Sequence, residues 1–566
     1  MNKTNLIRHI STLICWMMIG VFVTILFHYP IISSSFNKFP GDEGDSRFSA
    51  FLMEHLFLWF NNKSTFDSPP FFYPTVETLG LSETHLLHGI VYSMIRIFDF
   101  SVMKSFSITI FLLNSLTYVT SFLFIRFGMK LNLFPAIVGA LVFSFNSAKL
   151  NQMNHTQLQP LLLIPLISWL FILIHEKCKN DSYKKPAYIY SFFAITLFHL
   201  QLWTSFYIAW FYSIIIFFGL LVLLTTQTTR IYLIVFLKKN IIVIIFSSIV
   251  FLLYSIPYLK LYLPVLKEYG VRSYQEVDSM LPRLWSYLWM GDENVMWGWV
   301  PKHEFYSLPM GHEHKIGIGL IFSCFALLSF SWALKGFFKV QRGRLGLSLT
   351  GLWNFPKISS RFDASKYFLL IGCLGVLVFF ILSLRLNSSL WGIIYSNIPG
   401  GSSVRAVTRY ALIAYFFVGI FVAVFLNEIE NQTYSSNIKK ICFIFLTYVV
   451  IVFGIFEQTG TAWNSDSNHS NYWVNSVINK IKPSCDSFYL MASKDFPRPF
   501  WAIHIDAMMA SQSSNIPTLN GYSGHFPKDY PLWNPKGNNI KSAIDKWASR
   551  MKLDGKVCII NHDNPS

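Results

Sequence analysis

Gly41-Asp42-Glu43-Gly44-Asp45-Ser46-Arg47-Phe48 follows directly on the first apolar run of the chain. Three carboxylates fall within four positions, in a protein of which only 13% is charged. Carboxylates this close raise one another's proton affinity, while a cation or Arg47 lowers it. The group can therefore be tuned toward accepting a proton or binding a metal. A solvated acidic turn is the plain alternative.

The surroundings of this motif are those of a membrane protein. The 566 residues are 53% hydrophobic and 17% aromatic, and mean hydropathy is +0.42. A soluble domain carries about 25% charged residues, so the composition excludes an ordinary soluble fold and indicates a polytopic α-helical membrane protein. The net charge of +17 raises nucleic acid as a partner. The basic residues, however, stand in short clusters between apolar runs rather than on an extended patch with interleaved aromatics, which argues against nucleic acid and reads as topology. Met1 to Pro30 lacks a small-residue cleavage site and reads as a retained first helix.

A span needs about twenty apolar residues to cross a hydrocarbon core about 30 Å thick. The candidate spans are 7–29, 105–126, 132–148, 158–175, 187–201, 203–225, 239–257, 314–334, 367–384, 406–426 and 440–457, about 11 transmembrane helices. The fifth and sixth lie in one apolar stretch with His199, Gln201 and Thr204 in its middle, so a tight turn and a single broken helix are both open. A cytoplasmic amino terminus puts the cation clusters inside, among them Arg126 and Lys130, Lys177 to Lys185, Arg230 to Lys239, Lys335 to Lys366, and Lys439 with Lys440. This topology requires residues 84–98 to lie along the outer surface as an interfacial helix. The first outer loop then runs over 30–104.

From residue 458 the chain turns polar, and 458–566 reads as a small extracytoplasmic α/β domain after a transmembrane domain of 1–457. Ser487-Phe488-Tyr489-Leu490-Met491 and Lys556-Val557-Cys558-Ile559-Ile560 read as strands, while 499–512 and 539–552 have helical spacing. Of seven cysteines, Cys485 and Cys558 are the two on the oxidising side. They either pair or remain two unpaired core thiols.

Costly polar groups gather on the outer side. Asp42, Glu43, Asp45 and Arg47 share it with Glu83, His85, His88, His155, Gln157, Glu313, His314, Arg405 and Arg409. Acids, imidazoles and arginines together suit a phosphate-containing donor. Asp42 or Asp45 could take a proton from an acceptor hydroxyl, and Arg405 or Arg409 could neutralise a departing phosphate. Each also has a quieter reading: an anchoring arginine at a span boundary, a hydrogen-bonded loop histidine at 155, and an acidic helix start with a capping histidine at Glu313-His314. His85 and His88 are one helical turn apart without zincin spacing, so His85 and His155 are weak metal candidates. Trp285, Trp289, Trp297 and Trp299 suit either sugar stacking or an interfacial belt. No Gly-rich phosphate loop, nucleophile elbow or paired-cysteine zinc spacing occurs.

These residues resemble the GT-C class of multispanning glycosyltransferases, including the mannosyltransferase and aminoarabinose-transferase types. In that class an acidic motif, often Asp-Glu, follows the first helix, and Asp42-Glu43 stands in that place. A closer likeness is to a group of bacterial membrane proteins with a Gly-Asp-x-Gly-Asp-x-Arg start, matched by Gly41 to Arg47. Phe71-Phe72-Tyr73-Pro74, Leu81 to His85, Asn154 to Leu158, Glu313-His314, Ser403 to Ala406 and Ile516 to Gly524 resemble its later landmarks. The resemblance implies an inverting transfer of a sugar from a polyprenyl-phosphate carrier to a glycan, lipid or protein acceptor at the outer face of the cytoplasmic membrane. It maps the catalytic acid onto Asp42 or Asp45, with Arg405 on the donor phosphate and Asn520, Tyr522 and His525 toward the acceptor. Many relatives carry a second acidic motif in the next outer loop, whereas Asn146 to Gln157 offers only His155. A divalent metal is therefore an open cofactor. The rival classes are a transporter or flippase of a lipid-linked glycan and a non-enzymatic surface-polymer assembly factor.

Overall fold

The computed structural model describes residues 14, 17–179, 184–225, 227–300, 308, 310–341, 363–433, 437–460 and 464–562. The start of the expected first span, and Arg342, Arg344, Lys357 and Arg361 among the inner cations, lie outside the described residues. The chain is a polytopic α-helical membrane protein with a small α/β extension at its carboxy-terminal end. Among the described residues, seven helices are long and apolar enough to cross a membrane: Val102–Gly128, Leu133–Leu150, Thr156–Lys179, Phe206–Leu224, Ile241–Tyr269, Ala364–Ser383 and Val407–Asn431. Met17–Phe27, Gly319–Ser331 and Thr447–Glu457 are apolar but shorter.

In chain order the elements used below are α1 (Met17–Phe27), β1 (Lys38–Pro40), α2 (Asp45–Phe60), α3 (Leu86–Arg96), α4 (Val102–Leu123), α5 (Leu133–Ser144), α6 (Leu163–Lys179), α7 (Lys185–Thr204), α8 (Phe206–Leu224), α9 (Ile241–Tyr269), α10 (Gly319–Gln341), α11 (Asp363–Ser383), α12 (Ala411–Thr433) and α13 (Asn437–Glu457). Beyond them come β2 (Asn464–Asp466), α14 (Ser467–Ile478), β3 (Ser487–Ala492), α15 (Phe500–Ser514), α16 (Ile540–Met551) and β4 (Val557–His562). The apolar stretch holding His199 and Thr204 is broken at Ser205, whose extended backbone (φ −154°, ψ 114°) separates α7 from α8. Thr204 Oγ1 fills the break, donating to Leu200 O and accepting from Leu87 N.

In the first loop, α3 has 11 residues and is about 16 Å long, half of what a crossing requires. The other helix there, α2, was not expected from the apolar pattern. It buries Phe48, Phe51 and Leu52, and it keeps the sunken Glu54 satisfied through Tyr92 (2.5 Å) and Arg96 (3.1 Å).

Among the described residues the chain builds two large apolar cores, beside a small cluster of Cys178, Ala187 and Val243. One joins the membrane helices; the other joins the first loop to the extension, with Phe39, Phe51, Phe71 and Phe72 in one cluster with Tyr489, Ile503 and Trp547. Their junction is also hydrogen-bonded. β1 pairs antiparallel with β2 (Lys38 opposite Asp466), and Phe72 N donates to Asn520 O and Tyr73 N to Thr518 O, both at 3.0 Å. Within the extension β3 and β4 form a parallel pair, Ser487 opposite Val557. Cys485 and Cys558 are joined by a disulfide with Cα atoms 5.7 Å apart.

Helices α8 and α11 cross in backbone contact through glycines. A methyl group at Gly219 would lie 1.8 Å from Ile371 O, and one at Gly375 would lie 1.8 Å from Ile215 O. Small residues permit this closeness where apolar surroundings offer helices no hydrophobic drive to associate. Gly219→Val or Gly375→Val should therefore lower stability in detergent by about 1–3 kcal/mol or more, read as an earlier thermal unfolding midpoint. An unchanged midpoint would contradict this crossing.

Candidate functional site

The acidic motif sits at the amino end of α2. Asp42 Oδ1 accepts from Gly44 N (3.0 Å) and Ser46 N (3.4 Å), so this carboxylate caps the helix start. Asp45 is the first helical residue, a position where the helix dipole favours negative charge. Its Oδ1 accepts from the Tyr522 hydroxyl at 2.7 Å, and its Oδ2 lies 3.3 Å from His155 Nδ1. The opposite nitrogen of that imidazole, Nε2, is 3.5 Å from Glu313 Oε1, so His155 stands between two carboxylates from distant loops.

Glu313 is wholly buried and forked by Arg409, with Nη2 at 2.5 Å from Oε1 and Nε at 3.1 Å from Oε2. Two parallel bonds of this kind are the strong form of a carboxylate–guanidinium contact. Gln152 Nε2 adds a 3.1 Å bond to Oε2, and His312 Nε2 is 3.9 Å from Oε1. The guanidinium of Arg409 also lies over the Tyr207 ring, 5.2 Å from its centroid. Glu83 closes the inner side: Ser205 Oγ donates to it at 3.2 Å, and it meets the backbone N–H groups of Phe206 and Tyr207 at the start of α8.

This arrangement drives the acids apart. Burial and repulsion from Asp45 push Asp42 above the usual carboxylate range, against the backbone N–H bonds of Ser46 and Gly44. Burial acts the same way on Asp45, but His155, Tyr522 and Arg409 overcome it and hold that carboxyl low. Glu313 is likewise held well below the ordinary range, Arg409 and His155 outweighing burial. Burial and Arg409 disfavour a charged His155, yet hydrogen bonds to Asp45 and Glu313 raise it above its usual value. Burial raises Glu83 and lowers His85 to about 4.

The remaining sequence candidates fall in three places. His85 is buried against Glu83 O through Nδ1 (2.9 Å), with Gln157 beside it and the His88 ring centroid 5.5 Å away. Arg405 lies at the rim, partly exposed, 3.3 Å from Glu276, so of the two arginines it is Arg409 that enters the cluster. His525 sits nearby with its ring 5.0 Å from Tyr269. Four candidates face elsewhere. Arg47 is buried on Asp506 of α15, and Glu43 pairs with His469 and Arg498. Asn520 satisfies the Leu490 backbone, and His314 lies between Ser286 Oγ and Ser279 O. Glu313 does not start a helix; it belongs to a single 3-10 turn, Gly311–His314, and answers Arg409 instead of backbone N–H groups. Trp289 is buried, while Trp285 and Trp299 are exposed.

Gln152, His312 and Tyr207 were not foreseen. The dense Gly311-His312-Glu313-His314 run was the available signal for His312. Ligand atoms of His155, His312 and Glu313 all lie within 4.8 Å of one another, a set able to hold a divalent cation. Mixed imidazole and carboxylate donors suit zinc or manganese, although Arg409 already shares Glu313.

No family model matches the sequence, and no curated protein matches it. Among solved structures, the Archaeoglobus fulgidus oligosaccharyltransferase in complex with zinc and sulfate superposes with a TM-score of 0.51 at 12% identity, covering 95% of this chain and 66% of that one. This chain has the GT-C fold. The same archaeal enzyme in its apo form gives 0.48 at 10% identity over 95% of this chain and 68% of that one. Its complex with an inhibitory peptide and a dolichol-phosphate gives 0.45 at 13% identity over 96% and 68%. The chain thus spans about two thirds of the length of these structures.

The titration directions give a pH test. Asp45 and Glu313 contribute stability above their ordinary values of 3.8 and 4.5, and lose it as pH falls through their lowered values. His155 contributes fully below its ordinary 6.5 and loses that contribution as pH rises through its raised value. The destabilisation caused by His155→Gln should therefore be largest between about pH 4.5 and 6.5 and shrink in alkali, as measured by thermal unfolding of variant against wild type. A difference constant across pH would contradict the charged His155.

Proposed function

We propose that this chain is an inverting membrane glycosyltransferase that moves a sugar from a polyprenyl-phosphate carrier to an acceptor at the outer face of the cytoplasmic membrane. The observation that carries this reading is the convergence of Asp42, Asp45, His155, Glu313 and Arg409 at one end of a GT-C helix bundle. In the proposal all eleven expected spans cross, with the amino terminus inside. The extension, 458–566, then lies outside together with the first loop, 30–104, of the transmembrane domain, 1–457.

At the anomeric carbon the reaction makes one bond and breaks one, and a proton passes from the acceptor hydroxyl to a carboxylate. The acceptor hydroxyl oxygen attacks the sugar's anomeric carbon while the bond from that carbon to the phosphate oxygen breaks, its electron pair leaving with the lipid phosphate. Asp42, with its raised proton affinity, takes the hydroxyl proton. Asp45, already bound by Tyr522 and His155, orients the acceptor. Pairs of acids pushed apart in this way commonly divide the base and orienting roles. Arg405 at the rim meets the donor phosphate, and Arg409 holds Glu313 and faces the developing negative charge. A divalent cation, held by His155, His312 and Glu313, would supply further positive charge to that phosphate. The acceptor approaches from the side of Tyr522 and His525.

Membranes carrying wild type, Asp42→Asn and Asp45→Asn should differ in consumption of a lipid-linked sugar. Each substitution should slow it by roughly 10²-fold or more, with the folded protein present in equal amount. Wild-type rates in both variants would overturn the assignment.

A further inference from the structure

Arg47 lies two residues past Asp45 and points away from the cluster described above. It meets Asp506 of α15 at 2.6 Å, and both side chains are fully buried. Arg498 forms a second arm, with Nε 3.2 Å from Asp506 Oδ2 and Nη1 3.1 Å from Glu43 Oε2. His562 at the end of β4 lies 3.3 Å from the same Asp506 oxygen, and His469 Nδ1 lies 2.5 Å from Glu43 Oε1. Ser465 Oγ donates to Gly41 O at 2.9 Å, and Tyr522 holds Asp45. Gly41, Glu43, Asp45 and Arg47 are thus each bonded to the extension.

This is a poor device for stability alone. Taking two charges out of water costs several kcal/mol per ion, offset only by good geometry and full hydrogen bonding. Among the described residues, Arg47 Nε and Nη1 are buried without a hydrogen-bond partner, which adds the penalty of unmade bonds. A charge pair of this kind supplies direction, since it has one satisfactory arrangement where an apolar contact has many.

We propose that Arg47, Asp506 and Arg498 form a positioning clamp through which the extension sets the place of the Asp42–Asp45 turn. The clamp residues act through the turn and not on the reacting atoms. The consequence for transfer rests on the function proposed above; the mechanical claim does not. In this arrangement the extension governs the geometry of the turn as well as offering an acceptor surface.

The test replaces the pair together, Arg47→Met with Asp506→Leu, so that no lone charge remains buried. Thermal unfolding should stay near that of wild type, because such pairs are commonly replaceable by apolar residues. Hydrogen exchange of the amides over 41–50 should speed up at least tenfold. Transfer should fall at least tenfold in kcat with KM for the lipid-linked sugar little changed, and Arg47→Lys should keep part of the protection. If the double variant does not fold, Arg498→Met is read in the same way. Unchanged exchange over 41–50 in the folded variant overturns the clamp whatever the transfer rate. Absence of transfer by wild type counts against the proposed function and leaves exchange to decide the clamp.

Discussion

Glu313 is a carboxylate sealed from water, and the site is assembled around satisfying it. Arg409 supplies the counter-charge in a two-bond fork, Gln152 a third bond, and His155 an imidazole between Glu313 and Asp45. Removing one partner from a buried pair leaves an uncompensated charge, which is far more costly than removing both. The pairing therefore fixes the relative positions of three segments far apart in sequence: the 311–314 turn, the start of α12 and the 146–158 loop. Asp45 joins through His155, and Asp42 through the start of the helix, whose backbone N–H groups it accepts from.

A second constraint acts from above. The first loop shares a core with the extension, and β1 finds its only strand partner among the described residues in β2. The acidic turn is consequently held on two sides, by the membrane bundle through His155 and by the extension through Tyr522, Arg498 and Asp506. An arrangement held on both sides suits chemistry that requires carboxylates at fixed distances from a bound hydroxyl and phosphate.

Much of the helical architecture was legible because a membrane span announces itself by length and apolarity alone. Each of the eleven expected stretches overlaps a helix among the described residues, but only seven of those helices are long and apolar enough to cross a membrane, and the polar His199–Thr204 interruption marks the break at Ser205. Two of the extension's three strands and two of its three helices were readable from alternation and helical spacing, whereas β2 and α14 were not. The helix Asp45–Phe60 was not, because its Glu54 and His55 interrupt an apolar face whose partners lie hundreds of residues away. The site was legible in its residue types but not in its pairings. Arg405 and Arg409 stand four apart in one motif, and only the 3-10 turn Val407–Tyr410 turns the second inward. Likewise nothing local distinguishes Arg47, which serves Asp506, from a residue facing substrate.

In the proposed function this cluster receives a lipid-borne phosphate at the outer end of the bundle. The direct measurement is a structure of the full chain with a non-hydrolysable polyprenyl-phosphate sugar bound. The phosphate is expected between Arg405 and the Glu313–Arg409 pair, with the anomeric carbon turned toward Asp42 and Asp45. A phosphate bound instead at the cation-rich opposite end of the helices, with the Asp45–His155–Glu313 cluster remote from the lipid, would contradict it.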